Sequence, residues 1–381
     1  MHYRELGKTN KKVSILGLDI TNLPVSNTDS SDDLIKYAID NGVNYIDIPY
    51  KYQNIDFETY IGDFFNKNPE YKTKTSIIAK MPSWLINSKD DLDIYFENQL
   101  KNLRRESVDF YLLDYIKTDT WKKLVKYGIL DFLDKIKEEG KTKYIGFSFY
   151  DELELFFEVI DSYDWDLIQV PFNFMDINNH VGFEGIRYAN NENIGVMIRD
   201  PTYGGCLTNN IPSDVKEVLD FADNIKSPIE WCLNFVWDYT EIDTILFSIS
   251  DLNQLKKHIK YTNNALPGCM SRNDKDIIKE VRFTYREHIN VRCDQCGHCL
   301  PCDEGVNIPL NLEILNKAYM FGIIDNTDSS NYDYLKKVYE FSLTESERAS
   351  NCNACGVCEK FCAQFINIPD KLEELEELFE E

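Results

Sequence analysis

Eight short runs of almost unbroken apolar residues punctuate the first three-quarters of the chain. They are SILGLDI (14–20), YIDIP (45–49), TSIIAKM (75–81), VDFYLLD (108–114), YIGFSF (144–149), LIQVPFNF (167–174), GVMIRDP (195–201) and DTILFSIS (243–250). A strand that is apolar at successive positions, rather than at every second one, has both faces buried. Between the runs lie stretches with helical spacing of apolar residues, such as SDDLIKYAIDNG, DDLDIYFENQLKNLR and SDVKEVLDFADNIK. The opening segment, Tyr3 to Ile15 around Lys8-Thr9-Asn10, reads as a small hairpin. Eight strand–helix repeats of this size predict an α/β fold, a closed (β/α)8 TIM barrel. The competing arrangement is a doubly wound open sheet. It usually has fewer strands and a glycine-rich turn after the first, whereas LGLDITNLP here lacks G-x-G-x-x-G.

The texture changes near residues 275–290. The remainder has few strand-like runs, a helical insert from LEILNKAYMFGIID to YDYLKKVYEFSLT, and an acidic end, KLEELEELFEE, that reads as a solvated helix. The expected division is a barrel over 1–285 and a small helical domain over 286–381. That domain carries eight of the eleven cysteines in two tight groups: Cys293, Cys296, Cys299 and Cys302, then Cys352, Cys355, Cys358 and Cys362. Cys-x2-Cys-x2-Cys puts three thiolates on one winding loop, as the corners of an iron–sulfur cube require, and the fourth ligand is free to come from the other group. Two 4Fe–4S clusters are the expectation. Zinc is the alternative, although structural zinc usually takes two separated cysteine pairs. Of the other cysteines, Cys232 reads as core, Cys269 as a loop residue, and Cys206 as packing beside a glycine pair.

Charge narrows the partners. There are 65 acidic against 41 basic residues, a net charge of −24, which argues against nucleic acid and against anionic membranes. It suits a soluble protein and a basic redox partner. Hydrophobic content of 43% supports a proper core. No apolar run reaches the ~18 residues of a membrane span. MHYRELGKTNKKVSILG lacks the apolar stretch of a signal peptide. With free thiols, this points to a reducing cytoplasm.

Reactive groups in such a barrel sit at the C-terminal ends of the strands. Those ends carry Asp47, with Tyr52 five residues on, then Lys80, Asp114, Ser148, and Gln169 with Asn173. Tyr50 and the pair Phe172 and Phe174 are candidates for a substrate pocket, with barrel core as the default reading.

On these residues the chain resembles the aldo-keto reductase family. YRELGKTNKKVSILG resembles its opening hairpin and first strand, GVNYIDIPYKY the stretch with its Asp and Tyr, and IIAKMPSW its Lys strand; VDFYLLD, EEGKTKYIGFS, IQVPFNFMD and SPIEWCLNFVWD also match. With the cysteines, the whole resembles the subgroup bearing a C-terminal ferredoxin-type domain. The resemblance implies reduction of a small-molecule carbonyl by NADP(H) or NAD(H). Tyr52 would be proton donor, Lys80 would lower its pKa, and Asp47 would hold Lys80. It implies cofactor contacts from Ser148, Gln169, Gly204, Gly205, Ser248 and Gln254.

Three departures stand out. Asp114 replaces the family's substrate-orienting His. Ionised, it would repel a developing oxyanion. Buried and protonated, it would donate, as in the branch with Glu here that reduces an alkene conjugated to a ketone. Lys257-His258 replaces a Glu-Asn that contacts adenine, so that Lys256 and Lys257 are either phosphate ligands or a solvated face. Asp303 and Ala363 replace prolines after the cysteine groups. The expected function is NAD(P)H-dependent reduction of a carbonyl or activated alkene. Two alternatives stay open: an electron-transfer protein with a flavin in the barrel, because clusters pass single electrons and nicotinamides pass pairs, and a catalytically degenerate barrel.

Overall fold

A computed structural model describes residues 1–51 and 55–380. The hairpin forms from β1 (Tyr3–Glu5) and β2 (Lys12–Ser14), paired antiparallel with Tyr3 opposite Ser14. Each of the eight apolar runs coincides with a strand, give or take two or three residues at its ends: β3 (Leu16–Asp19), β4 (Tyr45–Asp47), β5 (Ser76–Pro82), β6 (Val108–Ile116), β7 (Thr142–Phe149), β8 (Leu167–Pro171), β9 (Gly195–Arg199) and β10 (Thr244–Ser248). All are parallel to their neighbours, and β10 closes on β3, giving a (β/α)8 barrel. Helices between the strands cover the outer face, so both strand faces are buried and the runs are apolar throughout.

The two barrel ends differ. At the N-terminal end, Leu6 and Val13 of the hairpin region join Tyr45, Ile78, Phe110, Leu112, Leu167, Met197 and Leu246 in one buried cluster. Thr244 lies at the same end, its hydroxyl hydrogen-bonded to the Tyr45 phenol. The hairpin is pinned across this end by Lys8 N–H to Asn193 O (2.7 Å) and Tyr144 OH to Thr9 O (3.0 Å). It plugs one mouth and leaves the other, at the strand C-termini, as the place for chemistry. There β6 is irregular: its pairing with β7 slips between Leu113 and Ile116, and Tyr115 has φ 58°.

The chain packs as two compact units. One is Met1–Pro201 with Cys232–Met270 and holds every barrel strand; the other is Thr202–Trp231 with Ser271–Glu381. Composition changes near residue 285, but packing divides the chain elsewhere, because the helix Arg272–Glu287 lies against Ser213–Asp220 within the second unit. His288 Nε2 to Asp214 Oδ2 (2.7 Å) and Asn331 Nδ2 to Asn209 O (2.9 Å) tie the same two segments together. The second unit is helical, with longer helices at Ile308–Met320, Ser330–Ser342 and Ile368–Phe379. Among the described residues no helix is long and apolar enough to cross a membrane.

Gly7 tests the plug. It has φ +46°, and a Cβ there would lie 2.3 Å from Gly195 N, a backbone atom that has no side chain to move aside. Gly7→Ala should lower the unfolding free energy by about 2–4 kcal/mol, combining strain with overlap. Gly140→Ala, with φ +69° and nothing within 4 Å of the added carbon, should cost only about 1 kcal/mol. Denaturant titrations of both variants check the difference.

Candidate functional site

The open mouth holds a buried ion pair. Lys80 ends the apolar part of β5 and Asp47 ends β4, neighbouring strands whose register sets Asp47 opposite Ile78. Lys80 Nζ donates to Asp47 Oδ2 at 2.6 Å, and both side chains are 1% exposed. Burial pushes the Asp47 carboxyl up, against the pull of Lys80 and Arg199. Gln169, from β8, donates its Nε2 to the other Asp47 oxygen at 3.2 Å. Its own Oε1 is buried and meets no donor among the described residues. Asp47, Lys80 and Gln169 therefore come together as one constellation. Tyr52 lies outside the described residues. Tyr50, two positions before it, sets its ring edge-on to Tyr95 at 5.8 Å.

Behind Lys80 stands a second buried network that sequence reasoning missed. Gln99, from the helix Lys89–Asn102, donates to the Lys80 carbonyl (2.8 Å) and to Glu58 Oε1 (2.6 Å), and accepts from Tyr111 OH (2.8 Å). Asn102 Nδ2 reaches the other Glu58 oxygen at 3.3 Å. Burial pushes the Glu58 carboxyl up to about 7.

Asp114 and Ser148 also meet. Ser148 Oγ donates to Asp114 Oδ1 at 2.6 Å and accepts from Tyr115 N–H at 2.7 Å. The slip in β6 and the left-handed Tyr115 bring that N–H to Ser148. Asp114 is only half-buried. Its position toward Ser148 is that of an acceptor.

Two further charged groups at the mouth went unread in the sequence, Asp19 at the end of β3 and Arg199 at the end of β9. Arg199 Nη2 faces Asp19 Oδ2 at 3.4 Å. Burial works against the charged guanidinium, but Tyr150, Asp19, Asp47 and Asp114 outweigh it and hold Arg199 well above its ordinary value. Burial would likewise raise Asp19; Arg199, Lys80 and the hydrogen bonds from Thr21 hold it below the usual carboxylate range. The Tyr150 phenol is pushed up to about 12 by burial, with Arg199 pulling the other way. A charged residue closing an apolar run, as in GVMIRDP and LGLDI, was the available signal.

The remaining expected contacts are spread more widely. Ser248 ends β10, opposite Asp19 in register. Gln254 lies in the helix Leu252–Tyr261 and accepts from Ser250 N–H at 3.5 Å. On that helix Lys256 and Lys257 are exposed, while His258 is buried with its ring 4.1 Å from that of Phe247 and its pKa lowered by burial to about 4. Asn173 accepts from the N–H groups of Met175 (2.9 Å) and Asp176 (3.0 Å), shaping a turn. Phe172 and Phe174 pack against Phe235, as barrel core. Gly204 and Gly205 belong to the second unit. A Cβ on Gly204, at φ +61°, would fall 2.1 Å from the Tyr334 ring. Cys232 is buried, and Cys269 Sγ approaches Asn234 O at 3.5 Å.

In the second unit each cysteine group lies near members of the other. Cys362 lies within electrostatic reach of Cys293 and Cys299, which also face Cys296. Cys302 instead shares a cavity of about 260 Å³ with Cys352, Cys355 and Cys358, and Cys299 reaches its wall. Burial raises the thiols of Cys293, Cys299 and Cys358, the last to about 11. The two loops repeat one another. Gln295 and Gly297 have φ 58° and 71°, and Ala354 and Gly356 have φ 56° and 68°. Asp294 Oδ1 accepts from Cys296 N–H (3.2 Å) as Asn353 Oδ1 does from Cys355 N–H (3.1 Å). Each loop leads into a helix that opens on Asn-Ile-Pro, with Asn307 and Asn367 as the N-caps. That shared tripeptide, five residues past Cys302 and Cys362, was a legible sign of the duplication. Among the described residues, no three of His, Cys, Asp or Glu converge as the ligands of a single metal ion would.

A closed barrel with a buried ammonium–carboxylate pair at its C-terminal mouth defines an enzyme of the TIM-barrel class. The sequence profile of the aldo/keto reductase family matches residues 16–269, and the chain belongs to that family; it is an oxidoreductase. It is 22% identical over 283 residues to L-galactose dehydrogenase of Arabidopsis thaliana, covering 67% of this chain and 86% of that protein. Its fold is similar to that of the aldo-keto reductase AKR11C1 from Bacillus halodurans. The TM-score is 0.62 against the holo form and 0.60 against the apo form, at 17% identity, over 74% of this chain and 96% of the other.

Glu58 yields a pH test. Its folded pKa, about 7, lies above its ordinary 4.5, so the folded state binds the extra proton between these values and stability falls as pH rises through that window. The full loss is about 3 kcal/mol as an upper bound. Asp243, also raised to about 7 by burial, adds a parallel slope. Glu58→Gln should remove its own share, so that the stability of wild type relative to the variant declines from pH 5 to pH 8 in urea titrations.

Proposed function

We propose that the enzyme transfers a hydride between a nicotinamide cofactor, NADP(H) or NAD(H), and a small carbonyl compound or an activated alkene. The observation that carries this reading is the Lys80–Asp47 pair, buried at 2.6 Å in the mouth with Gln169 on its far oxygen. A bound nicotinamide supplies the hydride. Tyr52 holds the proton that goes to the substrate oxygen, and the ammonium of Lys80 favours the phenolate left behind. Asp47 fixes Lys80. The Gln169 Oε1, which meets no donor among the described residues, suits the carboxamide N–H₂ of a nicotinamide, and Ser148, Ser248 and Gln254 are the barrel's other expected cofactor contacts. For the Arabidopsis relative, the name denotes dehydrogenation of a sugar; the same proton path serves either direction.

The cysteine unit we read as a ferredoxin-type domain for two 4Fe–4S clusters. Cys293, Cys296, Cys299 and Cys362 would hold one, and Cys302, Cys352, Cys355 and Cys358 the other. Eight thiolates in two crossed sets fit this chemistry, as does the cysteine-lined cavity of about 260 Å³. Bound clusters supply one-electron transfer, so coupling to a two-electron hydride calls for a flavin or a one-electron substrate step. The net charge of −24 suits a basic protein redox partner, and oxygen-sensitive clusters suit the cytoplasm.

Anaerobic purification should give a brown protein with about eight irons and eight sulfides per chain, two cubes in all. Cys302→Ser should weaken one set and lower iron to about half. Titration with NADPH should quench intrinsic fluorescence in wild type and in Tyr52→Phe alike, whereas Tyr52→Phe should lose about 10²–10⁴-fold in carbonyl reduction. Lack of nicotinamide binding, or a flavin released on denaturation, would replace the nicotinamide reading with the flavin one.

A further inference from the structure

Arg199 is a mouth residue whose charge no part of the hydride chemistry uses. Its side chain is 22% exposed and that of its partner Asp19 is 9% exposed. The partnership is loose. Nη2 lies 3.4 Å from Asp19 Oδ2, well beyond the 2.7–2.9 Å of a charge-assisted bond. Asp19 is engaged elsewhere, since its Oδ1 accepts from the Thr21 N–H at 2.8 Å and from the Thr21 hydroxyl. The other carboxylates of the mouth are committed too: Asp47 to Lys80 and Gln169, Asp114 to Ser148. A guanidinium carries five N–H donors in a planar fork. Arg199 uses one of them, at long range, and makes no other hydrogen bond to a described residue.

A partly buried cation with unused donors is a recognition element for a planar oxyanion. We propose that Arg199 anchors a carboxylate on the substrate, so that the enzyme acts on carbonyl compounds that also carry a carboxylate group, or on their hydroxy-acid products. This rests on the reading of the mouth as the site of carbonyl reduction. Barrel topology supplies an orientation: Arg199 ends β9 and Asp114 lies two residues before the end of β6, three strands away round the barrel. A substrate carboxylate is drawn to the β9 side and repelled from the Asp114 side. Charge complementarity of this kind fixes orientation and rejects the wrong partner. Tyr150, whose ring stacks obliquely on Tyr115 at 5.0 Å, also lies in the field of Arg199.

The test uses the cluster-loaded full chain with NADPH and two matched pairs of probes: 4-carboxybenzaldehyde against benzaldehyde, and succinic semialdehyde against butyraldehyde. Wild type should prefer the carboxylated member by about 10- to 100-fold in kcat/KM, the worth of one charged hydrogen-bonded contact, and mostly through KM. Arg199→Met should bring the ratio to near one, and Arg199→Lys should retain part of it. A binding readout stands apart from turnover: calorimetric titration with benzoate and with benzamide. Benzoate should bind more tightly to wild type and lose that advantage in Arg199→Met. Equal binding of the two to wild type, or a carboxylate preference that survives in Arg199→Met, overturns the proposal. Should Arg199→Met fail to fold, the wild-type ratios and Arg199→Lys decide. Reduction of both aldehydes without preference defeats the anchor and leaves the hydride reading intact. Benzoate binding through Arg199 with no aldehyde reduced does the reverse. Loss of both defeats both.

Discussion

The barrel is organised around an ion pair that it cannot hold cheaply. Taking Lys80 and Asp47 out of water costs several kcal/mol for each ion, and their attraction offsets this only when geometry and hydrogen bonding are good. The surroundings are arranged accordingly. Gln169 occupies the second Asp47 oxygen, Gln99 holds the Lys80 carbonyl from behind, and Glu58, Asn102 and Tyr111 hold Gln99. Three polar layers thus fix one ammonium. Replacing a buried ion pair with apolar groups of the same volume is often neutral or stabilising, so the fold alone does not account for the arrangement.

The cysteine unit obeys a different constraint. Its helices Ile308–Met320 and Ile368–Phe379 pack on one another, and each follows a loop with the same run of left-handed residues. Cys302, Cys352, Cys355 and Cys358 line a cavity of about 260 Å³ there.

The strands were legible because a parallel barrel buries both strand faces, and burial on both faces writes an uninterrupted apolar run. Lys80, Asp47 and Gln169 were legible as polar residues at the ends of those runs, where a barrel collects its chemistry. Glu58 and Gln99 were not. They lie on helices otherwise rich in charge, and a single polar residue on an amphipathic helix carries no mark of whether it faces water or the interior. Arg199 and Asp19 were hidden for a related reason: a charge closing a strand reads as the start of a solvated loop, and only closure of the barrel brings the two together. His258 follows two exposed lysines, yet the helix turns it inward against Phe247. The spacing left the fourth position of each cysteine group open to the other, and the fold sets Cys362 near Cys293 and Cys299.

The nearness of Cys362 to the first loop, and of Cys302 to the second, makes the two halves of the repeated segment depend on one another. Cys362 comes some sixty positions after Cys302, and the helix Ser330–Ser342 lies between them. Neither cysteine meets the opposite loop until that helix has been synthesised, so one loop cannot drift or be lost without taking a neighbour from the other.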